Sequence, residues 1–270
     1  MRIIDAHAHI FPDGIADKAT AATESYFPTP KPPHHHGRAD ELAEAMKAAG
    51  IDYALVFSAA TAAHQVESIH RFVYEAARKH PQFLPCGTLH VGFENYREEL
   101  RWLRDHGIHG AKLHPEFQHF ALDDPRLFPM YEEMERNDMF LVAHMGDPRT
   151  DYSGPRHMIP IVETFPRLRC IACHFGNWGD WRLEAVEPLL KYDNVYTDIS
   201  STFSYVTGDH GPLYEILRAY DPTHIFFGTD YPIFCPKEEV AQALSLDIGQ
   251  ELLEDILFHN FARFYHYREL

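Results

Sequence analysis

The chain has 270 residues, which is enough to bury one large hydrophobic core without disulfides. Its 24 Lys and Arg against 40 Asp and Glu give a formal net charge of −16, and this sign argues against a nucleic-acid binder or a protein that binds anionic membranes. The sequence shows no signal-peptide pattern and no apolar run approaching the roughly 18 residues of a membrane helix, so we expect a cytoplasmic protein.

Short β-rich segments alternate with helical patterns along the chain. The eight predicted strands are Arg2–Ile10, Tyr53–Ser58, Phe83–Leu89, Gly110–His114, Phe140–His144, Arg169–His174, Val195–Ile199 and Ile225–Gly228. The predicted helices are Ala39–Ala49, His64–Lys79, Tyr96–His106, Asp124–Asn137, Pro155–Phe165, Asp180–Tyr192, Pro212–Tyr220, Pro236–Leu244 and Leu252–Tyr265.

Eight β–α repeats are typical of a closed parallel barrel of about 250 residues. An open doubly wound sheet is the alternative, but no Gly-rich dinucleotide motif follows the first strand. We therefore predict an α/β fold, a (β/α)₈ TIM barrel that forms a single domain over residues 1–270. The segment Phe11–Arg38 is predicted as a long irregular loop on the catalytic face, and Leu252–Tyr265 as a C-terminal closing helix.

Two of the four cysteines, Cys170 and Cys173, form a CxxC motif. The motif lies within a predicted strand, where residues three apart face opposite sides. Both thiols therefore cannot easily bind one metal, and four scattered cysteines are too few for a disulfide framework.

Polar residues with metal-binding side chains recur where the predicted strands end. Asp5, His7 and His9 alternate along the first strand, which places the two imidazoles on one face. Three later strands end in the segments AHMG, CHFG and GTDYP, which carry His144, His174 and Asp230. Because the carboxyl ends of barrel strands meet on one rim, we expect these residues to form a site for a divalent cation.

The motifs DAHAH, GAKLHP, AHMG, CHFG, GTDYP and NFARF, in this order, resemble the amidohydrolase superfamily. The likeness is greatest to the amidohydrolase-related branch that includes aminocarboxymuconate-semialdehyde decarboxylase and related metal-dependent hydrolases. It runs from Ile4 to Phe264, nearly the whole chain.

The resemblance implies a bound divalent cation, with one Zn²⁺ as the first expectation and Mn²⁺ or another ion as the alternative. The implied metal ligands are His7, His9, His144 and Asp230. Asp230 would also move protons, and His174 would polarise the substrate or its attacking water. In a binuclear member, His174 and a carboxylated Lys112 would instead bind a second metal.

Five residues are candidates for contacts with a substrate. Lys112 either binds a substrate carboxylate or is structural, and His114 lies either in the pocket or in the core. Arg38 either holds a carboxylate or begins the following helix in solvent. Trp178 and Tyr231 either shape an apolar or aromatic pocket or simply pack.

The first hypothesis for function is metal-dependent hydrolysis of a small organic amide, ester or lactone that bears a carboxylate. The alternative is non-oxidative decarboxylation of an unsaturated or aromatic acid, and a third hypothesis is a non-catalytic scaffold, against which the complete ligand set argues. The expected partner is a small-molecule substrate, with neither nucleic acid nor membrane, and analogy with such barrels allows a homodimer.

Overall fold

The computed structural model describes residues 1–29 and 32–266. Its strands are β1 (Ile4–His9), β2 (Tyr53–Phe57), β3 (Phe83–Pro85), β4 (Gly87–Thr88), β5 (Gly110–Leu113), β6 (Phe140–Ala143), β7 (Arg169–Ala172), β8 (Val195–Asp198) and β9 (Ile225–Phe226). Each predicted strand is present, and the third is broken in two at Cys86, which leaves β3 and β4 as its halves.

All paired strands are parallel and follow chain order, β1 to β3 in one sheet and β4 to β9 in the other. Two sets of hydrogen bonds join the sheets. The Cys86 N–H donates to the Val56 carbonyl at 2.9 Å, and the Ala6 N–H donates to the Phe227 carbonyl at 2.8 Å. A parallel bridge between Ala8 and Tyr231 extends the second junction. The strands therefore form the predicted TIM barrel.

Helices alternate with the strands along the chain. They are α1 (Ala16–Tyr26), α2 (Ala39–Ala49), α3 (Val66–Lys79), α4 (Tyr96–Asp105), α5 (Pro115–Gln118), α6 (Phe128–Arg136), α7 (Pro155–Thr164), α8 (Leu183–Val186), α9 (Thr202–Tyr205), α10 (Gly211–Ala219), α11 (Pro236–Leu244), α12 (Gln250–Glu254) and α13 (Asn260–Phe264). None of the helices in the described part of the chain has the length and apolar character needed to cross a membrane.

The segment predicted as an irregular loop, Phe11–Arg38, contains helix α1, and the prediction was wrong for that part. The sequence ADKATAATESY consists mostly of residues that favour helices, and the proline-rich stretch begins only after it ends. The long predicted helix Asp180–Tyr192 is also wrong in extent, since only Leu183–Val186 is α-helical and a short 3₁₀ turn follows.

Two hydrophobic cores hold the barrel together. The larger lies between the strands and the surrounding helices, and Cys170 belongs to it. The smaller fills the barrel interior, includes Cys173, and packs against Phe261 and Phe264 of the closing segment. The two cysteines of the CxxC motif thus lie in different cores, as strand alternation predicts.

The first strand departs from regular alternation. Asp5 pairs with Ala54 but Ala8 pairs with Val56, so β1 has one residue more than β2 between these pairs. Such a bulge changes the direction of the side chains that follow it. Strict alternation therefore does not relate Asp5 to His7 and His9 as predicted.

Candidate metal centre

Three polar side chains meet at the carboxyl ends of β1 and β9. The Nε2 atoms of His7 and His9 are 3.2 Å apart. The Oδ1 atom of Asp230 lies 3.5 Å from the first of these nitrogens and 3.8 Å from the second. The three ligand atoms all lie within 4.8 Å of one another, which brings three of the four predicted metal ligands together.

His7 is held by a carboxylate at the end of β8. Its Nδ1 lies 3.0 Å from Oδ2 of Asp198, and both side chains are fully buried. The other oxygen, Oδ1, accepts hydrogen bonds from the backbone N–H groups of His174 and Ser200 and from the Ser200 hydroxyl. With Nδ1–H donated to Asp198, the free lone pair of His7 is on Nε2, which faces His9 and Asp230.

Burial favours the neutral form of three imidazoles here, those of His7, His9 and His144. Burial lowers the pKa of His7 to about 4, helped by the positive charge of Lys112. Burial likewise holds the pKa values of His9 and His144 well below their usual range. Although burial alone would raise the pKa of Asp198, attraction to His7 and the hydrogen bonds it accepts keep that pKa below its usual range. Neutral imidazoles beside carboxylates are the form in which these side chains bind metals.

The donor set fits a divalent cation. Around a tetrahedral zinc ion with ligand bonds of about 2.1 Å, neighbouring ligand atoms lie about 3.4 Å apart. The separations of 3.2, 3.5 and 3.8 Å among His7, His9 and Asp230 are close to that value. Two imidazoles and a carboxylate suit zinc, manganese or iron, so these residues could hold such an ion without a large rearrangement.

His144 and His174 continue the centre to one side. His174 Nε2 lies 3.2 Å from His144 Nδ1, and the rings of His174 and His7 are 4.8 Å apart between centroids. Among the described residues, His144 groups with His114 and Glu116 rather than with His7, His9 and Asp230. His144, the predicted fourth ligand, is therefore separated from the other three by the imidazole ring of His174.

The backbone around the centre is strained. His174 and Asp230 both adopt positive φ angles of 58°, a conformation that is costly for residues with a side chain and that clusters at functional sites. Gly228 lies against β1, and a Cβ atom there would be 2.7 Å from the Cβ of His7. Only glycine allows the chain before Asp230 to approach His7 so closely.

A cavity of about 540 Å³ opens beside these residues. Asp230, His9, His144 and His174 line one part of it, and most of the remaining wall is apolar. Helix α1 and the residues that flank it contribute a wall made of Ile15, Ala19, Ala22, Thr23, Tyr26 and Phe27. The part of the chain predicted as a loop therefore covers the site with a helix.

Arg149, which follows β6, fastens this covering helix. Its guanidinium donates to the carbonyl of Tyr26 and to both oxygens of Asp147, at 2.9 and 2.7 Å for the latter. It also lies over the rings of Tyr26 and Phe27, at 4.2 and 5.1 Å from their centroids. The end of α1 is thus tied to the loop after β6.

The predicted substrate contacts divide into two groups. Trp178 and His114 line the cavity. Lys112 does not: it is fully buried, with Nζ 3.4 Å from the Cys173 sulfur and 4.6 Å from the centre of the Phe57 ring.

Arg38 and Tyr231 also lie outside the cavity wall. Arg38 lies immediately before α2 and donates a hydrogen bond to Asp17 on α1 at 2.8 Å. Tyr231 is buried and donates to the Arg38 carbonyl and to Glu41, each at 3.2 Å. Arg38 thus stands at the start of the following helix, which is the alternative given for it, and Tyr231 packs against Arg38 and Glu41, which is its packing alternative.

Two residues of this region escaped the sequence analysis. Asp198 is the penultimate residue of the seventh predicted strand, so its position near a strand end was available as a signal. Glu116 follows His114 and Pro115 directly in sequence. Its side chain is buried and lies in the wall of the cavity. Burial raises the pKa of Glu116 to about 7.

Comparison with known proteins supports one family. A family model described as Amidohydrolase matches residues 4–267. No protein with a curated description matches the sequence significantly. An uncharacterised TIM-barrel protein from Bordetella bronchiseptica has a similar structure, with 21% identity, a TM-score of 0.80 and 99% of each chain covered.

Two further solved structures are similar over nearly the full chain. A dihydroxybenzoic acid decarboxylase from Polaromonas sp. JS666, solved with manganese and the inhibitor 2-nitroresorcinol, has 15% identity and a TM-score of 0.73, covering 98% of this chain and 97% of that one. A candidate 2-pyrone-4,6-dicarboxylic acid hydrolase from Pseudomonas putida has 15% identity and a TM-score of 0.70, covering 99% and 98%. On the match of the family model across residues 4–267, the chain belongs to the amidohydrolase family.

Proposed function

We propose that this protein is a metal-dependent hydrolase of small esters, amides or lactones with an apolar or aromatic body, with one Zn²⁺ as the first candidate for the ion. One observation carries the proposal: the Asp230 carboxylate lies within 3.8 Å of both histidine nitrogens of β1 and also faces the cavity. A group in that position is able to contact both a metal and a substrate. When bound, a divalent cation supplies Lewis acidity and lowers the pKa of a coordinated water to about 7.

Asp230 acts as the base and then as the acid. Its carboxylate accepts a proton from the attacking water while the water oxygen bonds to the substrate carbonyl carbon. The same proton then passes to the leaving alcohol or amine as its bond to carbon breaks, so the carboxylate is restored. His174 lines the cavity beside Asp230 and polarises the carbonyl group as negative charge develops on its oxygen.

The cavity defines the body of the substrate. Aromatic rings from Phe11, Tyr26, Phe27, Phe117 and Trp178 line it, and the lining formed by described residues includes no Lys or Arg. A carboxylate far from the metal would therefore meet no cation in the described wall. We propose an uncharged aromatic or apolar body, in place of the carboxylate-bearing body that the sequence led us to expect.

The test is turnover of a panel of neutral aryl esters and lactones by zinc-loaded and manganese-loaded protein in ¹⁸O-labelled water. We expect ¹⁸O in the product acid, and a loss of about 10²–10⁴-fold in kcat/KM for Asp230→Asn. Hydrolysis that survives this substitution unchanged would contradict the role of Asp230.

Decarboxylation of an aromatic acid is the second candidate, and an aromatic wall with no Lys or Arg among its described residues favours it. An aromatic acid with a single carboxylate directed at the metal leaves no charge for the rest of the cavity to neutralise. Removal of that carboxylate from water also favours loss of CO₂. Release of CO₂ from substituted benzoic acids, together with no hydrolysis of the ester panel, would replace the first candidate by the second.

A further inference from the structure

A second polar group projects from the wall of the cavity. Glu116, on the short helix α5, has 1% of its surface exposed. Its Oε1 accepts hydrogen bonds from the hydroxyl groups of Ser153 at 2.5 Å and Thr150 at 3.3 Å. These two bonds fix the orientation of the carboxyl group, so its second oxygen points in a defined direction.

That second oxygen, Oε2, has no hydrogen-bond partner among the described residues. The nearest polar atoms are His114 Nδ1 at 3.6 Å, itself buried and without a hydrogen bond in the described chain, and His144 Nε2 at 4.0 Å. All three residues line the cavity. A buried carboxyl oxygen without a partner is costly, which indicates that a ligand satisfies it.

The ring geometry argues against a second metal ion as that ligand. His114 and His144 are stacked with centroids 4.1 Å apart and planes inclined by only 8°. Imidazole binds a metal in the plane of its ring, and two stacked parallel rings have their lone pairs in separate planes. His144 Nε2 also lies 3.1 Å from the Gly146 carbonyl, which occupies it as a hydrogen-bond donor.

We infer that Glu116, assisted by His114, binds a hydrogen-bond donor of the substrate, a hydroxyl or N–H group on its aromatic or apolar body. This inference rests on the proposed function for the identity of the site and adds the chemical class of the substrate. A hydroxyl fits best, because it donates to Glu116 Oε2 and accepts from His114 Nδ1 at once. Phe117, stacked on His114 at 4.0 Å between centroids, holds the imidazole in place.

The test compares two probes of similar shape, 4-methoxyphenol and 1,4-dimethoxybenzene, which differ by one O–H group. Binding to metal-loaded protein is measured by titration calorimetry, so no turnover is needed and failure of the hydrolase proposal does not affect the result. We expect the wild type to prefer the phenol by on the order of ten-fold, and Glu116→Leu to abolish the preference. Glu116→Gln, which keeps an acceptor for Ser153, should reduce it.

Thr23→Val is the matched control, because Thr23 also lines the cavity but its hydroxyl already donates to the Ala19 carbonyl at 3.0 Å. The control should keep the full preference. Three results would overturn the inference: a wild type that binds neither probe or shows no preference, a preference that persists in folded Glu116→Leu, or loss of a metal equivalent in that variant. The last would identify a second metal site instead.

Discussion

Replacement of Asp198 by asparagine tests how the protein prepares His7 for a metal. The substitution keeps the size of the side chain but turns one carboxyl oxygen into an NH₂ group. At the Oδ1 position this NH₂ would face three donors, from His174 and Ser200. At the Oδ2 position it would face only His7 Nδ1, 3.0 Å away, and this orientation costs less.

The NH₂ group would therefore donate to His7 Nδ1 and move the imidazole proton to Nε2. A protonated Nε2 has no lone pair to offer a metal, so binding requires a reorientation that the wild type does not need. Loss of such an orienting carboxylate typically costs 10–100-fold in metal affinity. That factor corresponds to about 1.4–2.8 kcal/mol.

Competition with a chromophoric zinc chelator measures this change directly. We expect weaker zinc binding by Asp198→Asn within that range, with a folded protein by circular dichroism. Asp209→Asn is the control, because Asp209 is exposed and its side chain accepts a hydrogen bond from the nearby Gly211 N–H at 2.8 Å. Equal zinc affinity in wild type and Asp198→Asn would refute the argument that Asp198 fixes the tautomer of His7.

Two further predictions concern packing and charge. Gly228→Ala places a Cβ 2.7 Å from that of His7 and should lower stability by about 1–3 kcal/mol and reduce metal occupancy, as measured by thermal unfolding and metal analysis; unchanged values for both would contradict the close approach. Burial alone would raise the pKa of Glu99, but its hydrogen bonds to His70 at 2.8 Å and Arg71 at 2.7 Å outweigh burial and lower that pKa. The stability it provides is present above its unfolded pKa of about 4.5 and is lost as the pH falls below it. Glu99→Gln should therefore destabilise more at pH 7 than at about pH 3.5 in urea unfolding, and an equal effect at both would refute the assignment.

The elements that the sequence predicted well are those with a strong local pattern. Each strand is a short apolar run, and its polar terminal residue stands out against it, as with His144 and His174. Because a parallel barrel brings all strand ends to one rim, the assembly of His7, His9 and Asp230 followed from topology alone. The position of His144 beside His114 instead depends on side-chain directions after the strand ends, which no periodicity specifies.

What the sequence did not reveal depends on long-range contacts. The bulge in β1 is a difference in residue number between β1 and β2 from one pair to the next. It is therefore not visible in the sequence of either strand alone. Arg38 and Tyr231 have side chains suited to a substrate, but each is held by an acidic residue elsewhere in the chain. Arg38 donates to Asp17, and Tyr231 donates to Glu41. Asp198 was visible at a strand end, but its bond to His7 spans 191 residues.

The most direct test of the central claim is the metal content of untagged protein by plasma mass spectrometry, for wild type and Asp230→Ala. Since His34, His35 and His36 could bind metal adventitiously, a variant with alanine at these three positions serves as the control. We expect about one equivalent of zinc or manganese in the wild type and the control, and clearly less in Asp230→Ala. No tightly held metal after incubation with both ions, or equal metal in Asp230→Ala, would contradict the centre formed by His7, His9 and Asp230.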